Sequence, residues 1–135
     1  MKIDYRWVDL ASRFLMCLLF LLSAFGKLTG VTGTEGYMEH YGVPGILIWP
    51  AAALELGGGL MLLIGFRVRP LSWVLAGWCV LTAAIFHTAF ADQIQMVMFM
   101  KNMTMAGGFL ILAKAGAPGF GVDGALAAKH KLASA

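Results

Sequence analysis

The sequence predicts an all-α integral membrane protein, a four-helix antiparallel bundle with both termini in the cytoplasm. Hydrophobic residues make up 60% of the 135 residues and charged residues only 13%, a balance too apolar for a water-soluble domain. The apolar residues are concentrated in four stretches of about 20 residues, the length that a helix needs to cross about 30 Å of hydrocarbon. None of the four shows the period-two alternation of a β-barrel strand.

The four stretches define one domain, residues 1–123, with spans near residues 9–28, 46–66, 71–90 and 95–115. The first stretch resembles a secretory signal, but Arg13 lies inside it and no small-residue cleavage site follows, so we expect a retained helix. Pro70 and the short connection before it predict that the second and third helices are antiparallel neighbours. Glycines from Gly116 onward end the fourth helix. Residues 124–135 are expected to form a loosely ordered or surface-bound cytoplasmic tail.

The distribution of Lys and Arg predicts the orientation of the helices, because cytoplasmic connections carry an excess of these residues. Eight of the ten lie near the N-terminus, in the second connection or after the fourth helix: Lys2, Arg6, Arg13, Arg67, Arg69, Lys114, Lys129 and Lys131. The first and third connections instead carry Glu35, Glu39 and Asp92. We therefore expect both termini in the cytoplasm and the long first connection, residues 29–45, to form an interfacial half-turn outside.

Composition argues against several classes of function. The net charge of +3 does not indicate nucleic-acid binding, because the basic residues are spread along the chain without a basic, aromatic-interleaved patch. Cys17 and Cys79 lie alone in apolar runs, which indicates neither a zinc site nor a redox dithiol. They lie at similar predicted depths, so contact between them stays open. The methionines of the fourth helix have no neighbouring Cys or His and favour packing over a metal site.

Polar residues within the spans are the candidate functional residues, since an ionisable group inside a bilayer costs a few kcal/mol. Arg13 lies near the cytoplasmic edge and is expected to snorkel to the surface or to contact phosphate head groups. The others are predicted to converge in the outer half of the bundle: Lys27, Glu55, His87, Lys101 and Asn102. No catalytic residue is assigned among them.

Helical spacing predicts that Glu55 faces protein, because its neighbours one turn away are small: Ala51, Ala52, Gly58 and Gly59. Two interpretations of the cluster stay open. In the first, Glu55 forms a structural salt bridge with Lys27 or Lys101 that orders the helices. In the second, two lysines and one glutamate leave a net-positive pocket that suits a quinone carbonyl, a small anion or an anionic lipid head group.

The order of these residues resembles that of the DoxX family of small four-helix membrane proteins over about residues 7–123. The matching features are Arg13, Phe25-Gly26-Lys27-Leu28, Pro44, residues 55–60, Gly65, the turn from Arg67 to Arg69, Phe86-His87, Lys101-Asn102, Gly107-Gly108 and the Gly-Pro-Gly stretch that leads to Asp123.

The resemblance implies a bacterial inner-membrane protein that is a subunit or accessory of a quinone-linked redox or sulfur-oxidising complex. By that similarity the polar cluster would bind a quinone or a sulfur oxyanion, and the partners would be the lipid bilayer and a protein of the complex, with a homo-oligomer left open. No covalent cofactor is expected. The alternatives are a structural or scaffolding subunit and a small transporter, although the chain shows no inverted repeat. Without haem-ligand, flavin or iron–sulfur motifs, an electron-transferring enzyme acting alone is not expected.

Overall fold

A computed structural model describes residues 4–134, which form six α-helices and one turn of 3-10 helix and contain no strand. The helices are α1 (Tyr5–Thr29), α2 (Val31–His40), α3 (Ile48–Ile64), α4 (Val68–Phe86), α5 (Gln93–Ala115) and α6 (Val122–Ala133). Four segments of the described chain are long and apolar enough to span a membrane: Tyr5–Thr29, Gly45–Ile64, Val68–Phe86 and Gln93–Ala115. The predicted all-α class with four spans is confirmed. Lys2 and the last tail residue, Ala135, lie outside the described residues.

Capping residues place the helix ends a few residues away from the limits that hydropathy suggested. The Asp4 side chain accepts a hydrogen bond from the Arg6 amide and starts α1, and hydrogen bonds from Arg6 also lower the pKa of Asp4. The Asp92 carboxylate caps α5 in the same way through the Ile94 amide. The third span ends at Phe86 rather than near residue 90.

Both segments expected to be irregular contain helices. The first connection forms the ten-residue helix α2 instead of a half-turn. The tail forms α6 instead of a loosely ordered segment. Helix formers such as Ala125, Leu126 and Lys129 favour a helix in the tail even though it buries no side chain.

The chain divides into two compact units, and the first comprises Met1–Arg67 with Ala117–Ala135. Within it α1 and α3 pack antiparallel, since the start of α1 meets the end of α3. A Cβ atom added to Gly59 would lie 2.7 Å from Leu21 Cδ2. The Leu21 side chain therefore packs directly against the backbone of α3 at Gly59, a contact that a small residue permits.

The second unit, Val68–Gly116, is the antiparallel hairpin of α4 and α5. Phe90 and Phe99 pack edge to face, with ring centroids 5.1 Å apart, near the turn of the hairpin. At the open end the Arg69 guanidinium faces the Ala115 carbonyl oxygen at 3.5 Å. The predicted packing of the second span against the third joins the two units and stays a prediction. Cys17 and Cys79 are both buried, one in each unit.

Gly65 ends α3 in a left-handed conformation, with φ of 71°. Its amide donates to the Leu62 carbonyl, and the Phe66 amide donates to the Met61 carbonyl. This is the Schellman pattern, in which a glycine relieves the steric penalty of positive φ. The turn that follows passes directly into α4 at Val68.

Candidate functional site

An ion pair between Lys27 of α1 and Glu55 of α3 is the main polar contact inside the spans of the first unit. Lys27 Nζ lies 2.8 Å from Glu55 Oε2 and also donates to Ser23 Oγ at 2.7 Å. Ser23 and Lys27 share a face of α1 because they are four residues apart. The side chains of Lys27 and Glu55 are 19% and 7% exposed. Pairing offsets part of the desolvation penalty that each charge would carry alone.

Lys27 keeps hydrogen-bonding capacity beyond this pair. Its ammonium has three N–H donors, and among residues 4–134 two of them have acceptors, on Ser23 and Glu55. The side chain is partly exposed, and the third donor has no acceptor among the described residues. The two charges cancel, and the pair therefore offers a directed donor without net charge.

The other predicted site residues lie in the second unit. His87 Nδ1 lies 2.8 Å from Gln95 Oε1, so the ring donates from Nδ1 across the α4–α5 connection. The Asn102 side chain donates to the Met98 carbonyl within α5, and Lys101 is exposed on the same helix. Of the five candidates, the structure brings Lys27 and Glu55 together. Convergence of His87, Lys101 and Asn102 with that pair stays a prediction.

Arg13 has a role that the sequence analysis missed. Its side chain is fully buried, so the expectation that it snorkels or contacts head groups is wrong. Nη1 donates to the carbonyls of Leu62 and Leu63 at 3.1 and 2.9 Å, while Nη2 donates to the Phe120 carbonyl and to Asp9 Oδ2. The last carbonyls of a helix lack intrahelical donors, and the end of α3 therefore supplies acceptors that hold a guanidinium inside the protein.

The segment before α6 docks at the same place. The Asp123 carboxylate accepts from the Arg67 amide, and the Asp123 amide donates to the Gly65 carbonyl, both at 2.9 Å. Phe120 packs on Trp7, with ring centroids 4.8 Å apart. We call Arg13, Gly65, Phe120 and Asp123 the Arg13 junction. It joins α1, the end of α3 and the start of α6.

A sequence signal for the junction existed but was ambiguous. Arg13 lies on the helical face of Cys17, Phe20 and Ala24, all of which are buried. That spacing places Arg13 toward protein, whereas its depth near the end of a span equally suits a surface arginine. The acceptors could not be foreseen, because Phe120 lies 107 residues further along the chain.

The helices and these buried contacts define a small multi-pass membrane protein with an ion pair inside its spans. The chain belongs to the DoxX family, whose model matches residues 8–88. It is 46% identical over 114 residues to inner membrane protein YqjF of Escherichia coli (strain K12), covering 84% of this chain and 88% of that protein. It is 31% identical over 121 residues to inner membrane protein YphA of the same organism, covering 84% and 86%. No solved structure matches significantly. The protein is a multi-pass protein of the bacterial inner membrane.

Proposed function

We propose that this protein is a membrane subunit or accessory of a quinone-linked redox complex, in which Lys27 binds the quinone head group. The observation that carries the proposal is the third N–H donor of Lys27, left over after the ammonium binds Ser23 and Glu55. The redox setting comes from the resemblance to the DoxX family. His87, Lys101 and Asn102 are proposed as further lining residues because they share the predicted depth.

The chemistry of the pair suits a neutral carbonyl ligand better than a sulfur oxyanion, since Glu55 already balances the lysine charge. A hydrogen bond donated by an ammonium is stronger than one between neutral groups, and its strength increases in a medium of low dielectric constant. A bound quinone would supply the electron-transfer chemistry. Lys27 would orient its oxygen and stabilise negative charge there, and Glu55 would accept or return a proton through the lysine.

A structural subunit is the second candidate. It is favoured because both cations within the spans of the first unit hold α1 against α3, Arg13 through Leu62 and Lys27 through Glu55. In that case the polar groups order the helices and have no ligand. A salt bridge of this kind contributes to specificity of packing more than to stability.

The double variant Lys27→Met/Glu55→Gln separates the two functions. It removes the donor without leaving an unpaired buried charge, so the fold should survive. We expect wild-type protein in nanodiscs to bind a short-chain quinone analogue, measured by thermal shift and photolabelling, and the double variant to bind at least about tenfold more weakly.

Lys114→Gln is the matched control, because Lys114 is exposed at the end of α5 and should bind the analogue as the wild type does. Absence of a thermal shift and of labelling in the wild-type protein would contradict the quinone site. If the double variant also lowers the melting temperature, the structural function gains support.

A further inference from the structure

Helix α6 exposes an apolar face that contains a lysine. No side chain of Val122–Ala133 is buried, and Leu126 and Leu132 are 51% and 82% exposed. At about 100° per residue, Val122, Leu126 and Leu132 fall within about a third of the helix circumference, and Lys129 lies in the same sector. An exposed apolar face on a helix is a candidate surface for membrane contact.

The charged side chains of α6 beyond Asp123 are all basic. Lys129, His130 and Lys131 are adjacent, and residues 124–135 contain no Asp or Glu. The one carboxylate of α6, on Asp123, is bound to the Arg67 amide. Within residues 4–134 neither lysine of α6 has an ion-pair partner. The complementary ligand is therefore an anion.

The Arg13 junction sets where α6 begins. Asp123 is hydrogen-bonded to Gly65, the residue that directly follows the candidate span Gly45–Ile64. The start of α6 therefore lies at the edge of the hydrocarbon layer. A helix of 12 residues is about 18 Å long, too short to cross the bilayer. The interfacial plane is the place where its leucines and its lysines are both accommodated.

We propose that α6 lies on the membrane surface and binds anionic phospholipid head groups through Lys129. Leu126 and Leu132 insert at the boundary of the acyl chains, and the Lys129 stem follows the apolar face until its ammonium group reaches phosphate. A lysine near an anionic surface should favour the bound state about fivefold. The surface is independent of the proposed quinone site at Lys27.

The test uses the full-length chain with an environment-sensitive fluorophore at Ser134→Cys, in a Cys17→Ala/Cys79→Ala background. Acrylamide quenching is compared in nanodiscs of phosphatidylcholine alone and with one quarter phosphatidylglycerol. A neutral quencher is needed because lipid charge would change the local concentration of an ionic one. A label at Thr32→Cys on α2, at the other end of α1, is the control.

We expect the label at residue 134 to be protected from acrylamide quenching in the anionic bilayer and exposed to it in the neutral one. Quenching of the control label should be the same in both bilayers. Lys129→Gln should lower the bound-to-free ratio about fivefold, and high salt should act in the same direction. Equal exposure in both bilayers would overturn the proposal. Equal protection in both would also overturn it, because insertion would then depend on the leucines alone.

Discussion

Single residues in this protein show how a cation is tolerated inside a membrane span. Arg13 donates to backbone carbonyls at the end of α3, whereas Lys27 donates to a carboxylate and a hydroxyl. The planar guanidinium reaches several acceptors at once, while an ammonium is a compact point charge with three donors. An arginine and a lysine are therefore not interchangeable at these two positions.

Arg13→Met should lower the stability of the detergent-solubilised protein by about 3 kcal/mol, because it removes a buried guanidinium that donates to Asp9 and to three carbonyls. Arg13→Lys should restore only part of the loss, since one ammonium cannot reach the same acceptors. Thermal unfolding followed by tryptophan fluorescence measures both. Lys114→Gln is the control, because Lys114 is exposed at the end of α5 and its loss should change little. An Arg13→Met protein that melts like wild type would show that the junction contributes nothing.

Gly65→Ala should destabilise the protein by about 1–2 kcal/mol, since a Cβ atom at φ of 71° is strained. The added atom would also lie 2.9 Å from both Arg13 Nη1 and Gly121 Cα. Gly57→Ala is the matched control in the same helix, because a Cβ there meets nothing within 4 Å. The same unfolding assay should leave this control at or slightly above wild-type stability. Equal effects of the two changes would rule out a special conformation at Gly65.

Helices α1 and α3 form the packed pair of the first unit, and their contact depends on Gly59. Gly59→Ala should cost about 1–3 kcal/mol by overpacking against Leu21. Leu21→Ala in the same chain should relieve the contact, so the two changes should be coupled by at least about 0.5 kcal/mol. A double-mutant cycle on unfolding in mixed micelles measures the coupling. Additive effects would mean that α1 has moved away from Gly59.

Helix α2 contains a tyrosine pair outside the spans. Burial, followed by the hydrogen bond and the charge of Tyr41, raises the pKa of Tyr37 to about 12, against about 10 for a free tyrosine. The folded protein therefore holds this proton more tightly than the unfolded chain does. The resulting stabilisation is complete below pH of about 10 and is lost as the pH rises toward about 12.

An ultraviolet titration of phenolate should show a late phase that disappears in Tyr37→Phe. Tyr5→Phe is the control and should leave the late phase in place. A wild-type titration complete by pH of about 10.5 would contradict the raised pKa of Tyr37.

The whole molecule is expected to lie with both termini in the cytoplasm, because eight of its ten Lys and Arg residues are predicted to face that side. A fluorescent protein fused after residue 135 should therefore fluoresce. Alkaline phosphatase fused after Gly36 or Asp92 should be active, since both positions are expected outside. The reverse pattern of activities would invert the topology.

The sequence by itself determined the class of the protein, because crossing a membrane is a local requirement on length and apolarity that each span meets separately. It also identified Lys27 and Glu55, since a charge in an apolar run needs a partner. Helix ends shifted by a few residues because capping by Asp4 and Asp92 depends on local hydrogen bonds rather than on hydropathy.

Only the tertiary structure decided what the buried charges meet. By its depth, Arg13 at the end of a span suits a head group or a protein acceptor equally well. It binds protein because the Leu62 and Leu63 carbonyls at the end of α3 accept from its guanidinium. The Asp123 contacts likewise join residues more than 50 positions apart. Local chemistry sets which segments cross the bilayer, and only the packing of distant segments decides which polar groups find partners inside it.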